Sequence, residues 1–190
     1  MWQGYISRVL AVLSGLVVTD AAGDVIQPDE GFDRWVKLAL NKRSGFSIHM
    51  IGNGASASLA SHFAADITKN CGIGAGVFTD PALLTALSND HGYENAFAIA
   101  LTRYANAGDL IVCISSSGKS PNILNACAEA TRMGVNIVTI SAKKPDNSLR
   151  SSGLLNFYVD GPTFSLAESA HAVILHHWID CLEAACGETA

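Results

Sequence analysis

The segment from Asp109 to Ala142, DLIVCISSSGKSPNILNACAEATRMGVNIVTISA, constrains the fold of this chain more than any other. Its apolar run at 110–114 predicts a short buried strand, because residues such as Ser, Gly and Pro follow it. The Ser-Pro pair at 120–121 predicts the start of a helix, since a hydroxyl residue is favoured at the N-cap and proline at the first helical position. Apolar residues at helical spacing lead to Gly134, and a second strand follows to Ile140. We therefore expect a βαβ unit.

The loop SSSGKS between this strand and helix is a candidate phosphate site. A helix N-terminus carries partial positive charge and unpaired backbone N–H groups, and hydroxyl side chains beside it can add hydrogen bonds to an anion. An ordinary polar loop would have a similar composition, so the spacing alone leaves both interpretations open. The loop matches neither GxxxxGK[ST] nor GxGxxG and does not indicate nucleotide binding.

Composition limits the class of protein. A length of 190 residues suits a single domain, and 49% hydrophobic residues are enough for a core. A net charge of −5 without long runs of like charge argues against a nucleic-acid partner. The five cysteines lack CxxC spacing, which predicts reduced thiols, most of them in the core. The apolar run Val9–Val18 is shorter than the roughly 20 residues that cross a bilayer, so we expect a cytoplasmic protein without a membrane partner.

Two helices are predicted ahead of the first strand of the sheet, one over Tyr5–Val18 and one from an N-cap at Asp29. Their apolar residues extend beyond one helical face, which leaves packing on the chain's own sheet and packing on a partner chain both open. From residue 46 onward, strands alternate with helices and predict a largely parallel α/β sheet in three layers. The segment NDHG at 89–92 is predicted to be a turn, and Leu155–Val159 an edge strand.

Three motifs in order resemble the sugar isomerase (SIS) domain family, and specifically its phosphoheptose isomerases. They are GNGAS followed by HFAAD, then TALSNDHGYENAF, then ISSSGKSPNIL. The resemblance covers nearly the whole chain and implies an α/β three-layer sandwich. Its five-stranded parallel sheet has a flavodoxin-like, nucleotide-binding-like topology. Residues 1–190 are then one SIS domain, with N-terminal helices for packing and oligomerisation in 1–44 and the α/β core with a C-terminal helix in 45–190.

The same resemblance implies a homotetramer with sites at subunit interfaces, a sugar phosphate substrate and a divalent metal, usually zinc. The family holds the phosphate on the serine loop and on the Ser that closes GNGxS. Asp90 matches an acidic position of the pocket and is a candidate for the substrate hydroxyls. The residues of this chain predicted to hold the phosphate are Asn53, Ser56, Ser115, Ser116, Ser117 and Ser120.

The resemblance also implies an acid–base pair. The family has a Glu four residues after a His on the helix that follows GNGxS, and a second His on the last helix; this chain has His62, Asp66 and His176. By analogy, Asp66 removes the proton next to the carbonyl and His176 protonates the oxygen, which gives a cis-enediol. Asp66 is one methylene shorter than Glu, and a displacement of about 1 Å can lower the rate roughly 100-fold.

The predicted metal ligands are His62, Asp66, Glu168 and His176. His62 and Asp66 are four residues apart on a helix and share a face, although a packing or interface histidine is the alternative for His62. Glu168 stands where the family has Gln, eight residues before His176, which is about 12 Å along a straight helix. A bend, a long reach of Glu168 or a second subunit must therefore bring the two to one ion.

Four further positions have secondary roles or differ from the family. Lys119 replaces the Asn of the family's serine loop and either adds positive charge near the phosphate or points to solvent. Ser165 stands where the isomerases place Asp. His171 and His177 are expected to be packing residues more than ligands.

The predicted function is an aldose–ketose isomerase, with conversion of sedoheptulose 7-phosphate to D-glycero-D-manno-heptose 7-phosphate as the first choice. The alternative is a non-catalytic SIS-domain protein that binds a phosphosugar or a protein partner such as the replication initiator. A third hypothesis keeps the chemistry and changes the substrate to another ketose phosphate or an amino sugar phosphate.

Overall fold

A mostly parallel sheet forms the centre of the computed structural model, which describes residues 1–40 and 45–187. The helices are α1 (Trp2–Ser14), α2 (Pro28–Ala39), α3 (Ala55–Cys71), α4 (Pro81–His91), α5 (Ala96–Tyr104), α6 (Pro121–Met133) and α7 (Phe164–Gly187). The strands are β1 (Val17–Asp20), β2 (Val25–Ile26), β3 (Ser47–Gly52), β4 (Gly74–Val77), β5 (Leu110–Ser115), β6 (Asn136–Ala142) and β7 (Leu155–Val159). Short 3-10 turns cover Tyr93–Asn95 and Ser148–Ser151.

The strand order is β2-β1-β7-β6-β5-β3-β4. The strands β4, β3, β5, β6 and β7 are parallel to one another, and their order relative to the chain is the flavodoxin-like order 2-1-3-4-5. Helices cover both faces of the sheet, one with α1, α2, α3 and α7 and the other with α5 and α6. The predicted α/β sandwich and βαβ unit are confirmed, but the described sheet has seven strands rather than five.

The two additional strands come from the N-terminal region, where the structure differs from the predicted helix over Tyr5–Val18. The helix α1 ends at Ser14, and Val17–Asp20 form β1, which pairs antiparallel with both β2 and β7. Because β1 covers β7, Leu155–Val159 is an inner strand with all five residues buried, and its prediction as an edge strand was wrong. The helical pattern of apolar residues around residue 10 contains no information about β7, the strand more than 130 residues later with which β1 pairs.

Two other local predictions were wrong. The helix α2 begins at Pro28 with Gln27 at the N-cap, so Asp29 lies inside the first turn and is not the cap. The segment predicted as a turn at 89–92 continues α4 as far as His91. Gly92 is the C-cap of this helix, and its positive φ of 81° favours glycine.

The helix α2 packs on the chain's own α7 and sheet. The indole rings of Trp35 and Trp178 are stacked with their centroids 4.1 Å apart, and Trp35 also contacts Phe157 of β7 at 4.9 Å. Both tryptophans are fully buried. Of the two alternatives for α2, its apolar face therefore serves the chain's own core, whereas α1 keeps Trp2 and Leu10 exposed.

The five cysteines all lie in described parts of the chain, and no disulfide joins any of them to another described residue. Cys113 and Cys127 are buried, with their sulfur atoms 3.5 Å apart, and the other three are partly exposed. Within the described residues, no helix has the length and apolar character needed to cross a membrane.

The middle of α7 contains a completely buried histidine, His171. Burial lowers its pKa to about 4, and the nearby main chain of Ser141 in β6 opposes only part of this effect. Neither imidazole nitrogen makes a hydrogen bond of ordinary geometry with another described residue. The side chain is therefore neutral near pH 7 and packs α7 against the sheet, as expected for a packing histidine.

This burial makes stability depend on pH. In the unfolded chain His171 should titrate near 6.5, so the unfolded state binds a proton before the folded state does as the pH falls. We expect the contribution of neutral His171 to the free energy of unfolding to be complete above pH 6.5. It should be lost progressively as the pH falls towards 4, with a total loss of up to about 3 kcal/mol. In urea denaturation between pH 7 and pH 4.5, the free energy of unfolding of the His171→Leu variant should depend less steeply on pH than that of the wild type. The exposed His91→Gln variant is the control, and an unchanged slope in His171→Leu would contradict the prediction.

Candidate functional site

A cleft at the carboxyl end of the sheet contains all six residues predicted to hold the phosphate. The strands β3 and β5 are parallel neighbours, with Gly52 in register with Ile114, so the loops that follow them emerge side by side. The cleft has a volume of about 100 Å³. It is lined by Asn53, Ser56, Ile114, Ser115, Ser116, Ser117, Ser120, Phe164 and Glu168.

The turn GNGAS needs glycine at two positions. A Cβ on Gly52 would lie 2.6 Å from the main chain of Ser56, so only glycine allows the first turn of α3 to approach the strand end this closely. Gly54 has φ 56° and ψ −125°, a conformation that other residues rarely adopt. These two glycines bring buried Ser56 to the wall of the cleft.

The serine loop is held by the loop that follows β6. Gly118 has φ 61°, and a Cβ at this position would overlap the side chain of Asn147. The Gly118 N–H donates to the Ser115 carbonyl at 3.0 Å, and its own carbonyl accepts from the N–H of Leu149 at 3.0 Å. The hydroxyl oxygens of Ser115 and Ser120 lie 3.4 Å apart across the loop. Contacts within the serine loop and with the loop that follows β6 therefore hold the serine hydroxyl groups close together at the N-terminus of α6.

Two residues that the sequence analysis did not single out position Asn53. The amides of Asn53 and Asn122 exchange two hydrogen bonds of 3.0 and 2.9 Å, and the Tyr93 hydroxyl donates to Asn53 Oδ1 at 2.7 Å. Asn122 is buried in the first turn of α6. A polar residue two positions after the serine loop was a usable signal for Asn122, whereas no local signal pointed to Tyr93.

Other predicted residues lie at or outside the rim. Glu168 lines the cleft, but Asp90 is exposed in the last turn of α4 and is not among the lining residues. The Asp90 carboxylate accepts a hydrogen bond from the Asn89 amide at 2.9 Å. Lys119 is exposed, which agrees with the interpretation that its side chain points to solvent.

The predicted acid–base residues form a second cluster where α3 and α7 pack together. His62 Nε2 lies 3.4 Å from Asp66 Oδ2, and the ring centroids of His62 and His176 are 5.8 Å apart. Phe63 contacts the His176 ring at 4.8 Å. Both histidines are exposed and Asp66 is partly exposed, so this cluster is accessible on the surface of one chain. We call it the α3–α7 cluster.

The predicted metal ligands do not meet in one chain. Glu168 lies in the cleft and His176 in the α3–α7 cluster, because α7 runs as one helix through both positions. Among the residues that the structure describes, no group of three or more His, Cys, Asp and Glu is placed to hold a metal ion. His177 does not help, since its ring packs edge-on against Phe32 with centroids 4.6 Å apart. A zinc site built from these four residues stays a prediction, since the described residues of one chain do not bring the four ligands together.

Comparison with known proteins agrees with this architecture. Residues 37–142, more than half of the chain, match the family model described as SIS domain. A phosphoheptose isomerase of Campylobacter concisus is 33% identical over 145 residues, which cover 73% of this chain and 76% of that protein.

Two solved structures of phosphoheptose isomerases have the same fold. The enzyme of Neisseria gonorrhoeae superposes with a TM-score of 0.71 at 27% identity, covering 80% of this chain and 86% of that one. The enzyme of Francisella tularensis superposes with a TM-score of 0.81 over 96% of both chains, and at 20% identity this likeness concerns the fold alone. The chain therefore belongs to the SIS domain family and is an isomerase of that family, related to the phosphoheptose isomerases.

Proposed function

We propose that this protein is an aldose–ketose isomerase that interconverts sedoheptulose 7-phosphate and D-glycero-D-manno-heptose 7-phosphate. Relatives named phosphoheptose isomerase support the sugar phosphate class of substrate. The observation that carries the proposal is the cleft, where hydroxyl groups from two loops converge at the N-terminus of α6. This combination of hydroxyl donors and a helix N-terminus suits a phosphate group.

The α3–α7 cluster supports the chemical step. Asp66 would take the proton from the carbon next to the carbonyl, and His176 would give a proton to the carbonyl oxygen, which leaves a cis-enediol. The protonated Asp66 would then give its proton to the neighbouring carbon, while the hydroxyl on the first carbon would give its proton to His176, which forms the new carbonyl and completes the isomerisation. His62, 3.4 Å from the Asp66 carboxylate, would orient that base.

The distance between the two clusters supports a long substrate. Glu168 in the cleft and His176 in the α3–α7 cluster are eight residues apart on α7, which corresponds to about 12 Å along the helix. A heptose phosphate that binds its phosphate in the cleft can extend its reacting carbons along α7. A triose phosphate is too short to place its carbonyl beside His176 in the same way.

The homotetramer, the interface sites and the cytoplasmic location belong to the same proposal. An exposed acid–base cluster on α3 and α7 is open to completion by a second subunit, and the exposed Trp2 and Leu10 on α1 offer apolar contact area. None of the five cysteines forms a disulfide among the described residues, which supports a reducing compartment.

Assembly and metal content can be measured together. We expect light scattering to give the mass of four chains and elemental analysis to give one zinc ion per chain, since a second subunit or a side-chain rearrangement must complete the ligand set. The His62→Ala variant should lose the metal and His177→Ala should keep it. A monomer without bound zinc would contradict both parts of the prediction.

The role of Asp66 is tested by proton exchange. Incubation of wild-type protein with sedoheptulose 7-phosphate in D2O, with zinc supplied, should yield the aldose and place deuterium at C1 or C2. Asp66→Asn should lower kcat by about 100-fold or more, because an amide cannot accept the proton. Asp66→Glu should retain turnover, and the exposed Asp180→Asn on α7 is the matched control. Phosphate binding without any exchange in the wild type would support the non-catalytic alternative instead.

The cleft is tested by removal of single hydroxyl groups. Ser117→Ala and Ser120→Ala should each raise the KM for the sugar phosphate by about tenfold or more, because each hydroxyl donates to a charged group. The kcat should change much less, since the phosphate lies away from the reacting carbons. The exposed Ser151→Ala variant controls for nonspecific effects, and unchanged KM values for both cleft variants would contradict the assignment.

A further inference from the structure

One residue at the carboxyl edge of the sheet has an unfavourable backbone conformation. Among the described residues, Lys143 is the only residue other than glycine with a positive φ, 64°. It directly follows β6, and its carbonyl accepts a hydrogen bond from the Tyr158 hydroxyl at 2.7 Å. Strain of this kind persists where surrounding contacts impose it, and it is concentrated at functional sites.

The Lys143 side chain extends to Phe164, one of the residues that line the cleft. Its Nζ lies 3.0 Å from the centroid of the Phe164 ring, which is a cation–π contact. Phe164 is the first residue of α7, and its side chain lines the cleft one helical turn before Glu168. The aromatic ring therefore holds an ammonium group beside the cleft.

The loop that contains Lys143 is also in direct contact with the serine loop. Ser141 of β6 pairs in register with Ser115 of β5, so the residues that follow the two strands leave the sheet at the same level. The Asn147 side chain packs on Gly118 and donates a hydrogen bond to the Lys144 carbonyl at 2.8 Å. The position of Lys143 is thus tied to the same contacts that shape the cleft.

The charges around the cleft leave a role for this ammonium group. Among the described residues that line the cleft, Glu168 is the one charged residue, and its carboxylate opposes the binding of a phosphate dianion. Lys119, the basic residue of the serine loop itself, is exposed. Lys143 makes no ion pair with any other residue in 1–40 or 45–187. Its charge is therefore available to an anion.

We propose that Lys143 is a substrate-binding residue whose ammonium group, held by Phe164 at the rim of the cleft, binds the phosphate group of the sugar phosphate. This inference rests on the proposed function and adds to it the positive charge that the hydroxyl groups lack. Lys143 acts in binding, since the acid–base residues lie farther along α7.

The experiment measures binding of inorganic phosphate and of sedoheptulose 7-phosphate by calorimetry at two salt concentrations. Lys143→Met should weaken the binding of both ligands about tenfold and reduce its salt dependence, because one charged contact is removed. Lys143→Arg should retain the affinity, and Phe164→Leu should lose part of it. The exposed neighbour Lys144→Met is the matched control and should bind like the wild type.

A second variant separates binding from folding. Lys143→Gly removes both the charge and the backbone strain, so it should raise the Tm by about 2 to 4 °C while it weakens phosphate binding as much as Lys143→Met does. Wild-type affinity in Lys143→Met and Lys143→Gly, or no phosphate binding by the wild type, would overturn the inference. If phosphate binding depends on Lys143 but the protein catalyses no proton exchange, the inference about Lys143 holds and only the proposed isomerase activity is rejected.

Discussion

The parallel pairing of β5 with β3 on one side and β6 on the other is the constraint on which the candidate site depends. Because the three strands run in the same direction and in fixed register, GNGAS, SSSGKS and the loop at 143–147 all leave the sheet at one edge. Glycines at the critical positions then allow main chains and side chains to meet there, as at Gly52 against Ser56 and Gly118 against Asn147. The cleft is a consequence of strand register more than of any single side chain.

The helix α7 connects the cleft to the α3–α7 cluster. Its N-terminal residues Phe164 and Glu168 line the cleft, and His176 lies about two turns beyond Glu168, beside His62 of α3. Buried Trp178, stacked on Trp35 of α2, and buried His171 hold the helix against the rest of the chain. Because Glu168 and His176 are eight residues apart on this one helix, the candidate phosphate site and the candidate proton-transfer residues are separated along α7. Among the described residues of one chain, the four predicted metal ligands accordingly form no group placed to hold an ion.

Local signals were enough to predict the βαβ unit, and the helix α6 begins at Pro121 and is capped by Gly134 as expected. They were misleading in the N-terminal region, where a helical pattern concealed β1 and therefore the inner position of β7. Family resemblance pointed to six candidate phosphate-binding residues that the structure brings together, but it did not indicate that Asn122 and Tyr93 hold Asn53. Asp90, also assigned by resemblance, lies outside the cleft lining.

The sequence by itself determined the class of fold, the order of the motifs and the kinds of functional group available, because glycine, proline, serine and apolar periodicity act over a few residues. Only the tertiary structure decided which groups meet. The antiparallel hairpin, the division of the site into two clusters along α7 and the contact of Lys143 with Phe164 all join residues distant in the chain. Such contacts depend on strand pairing and helix packing, and no local pattern of residues records them.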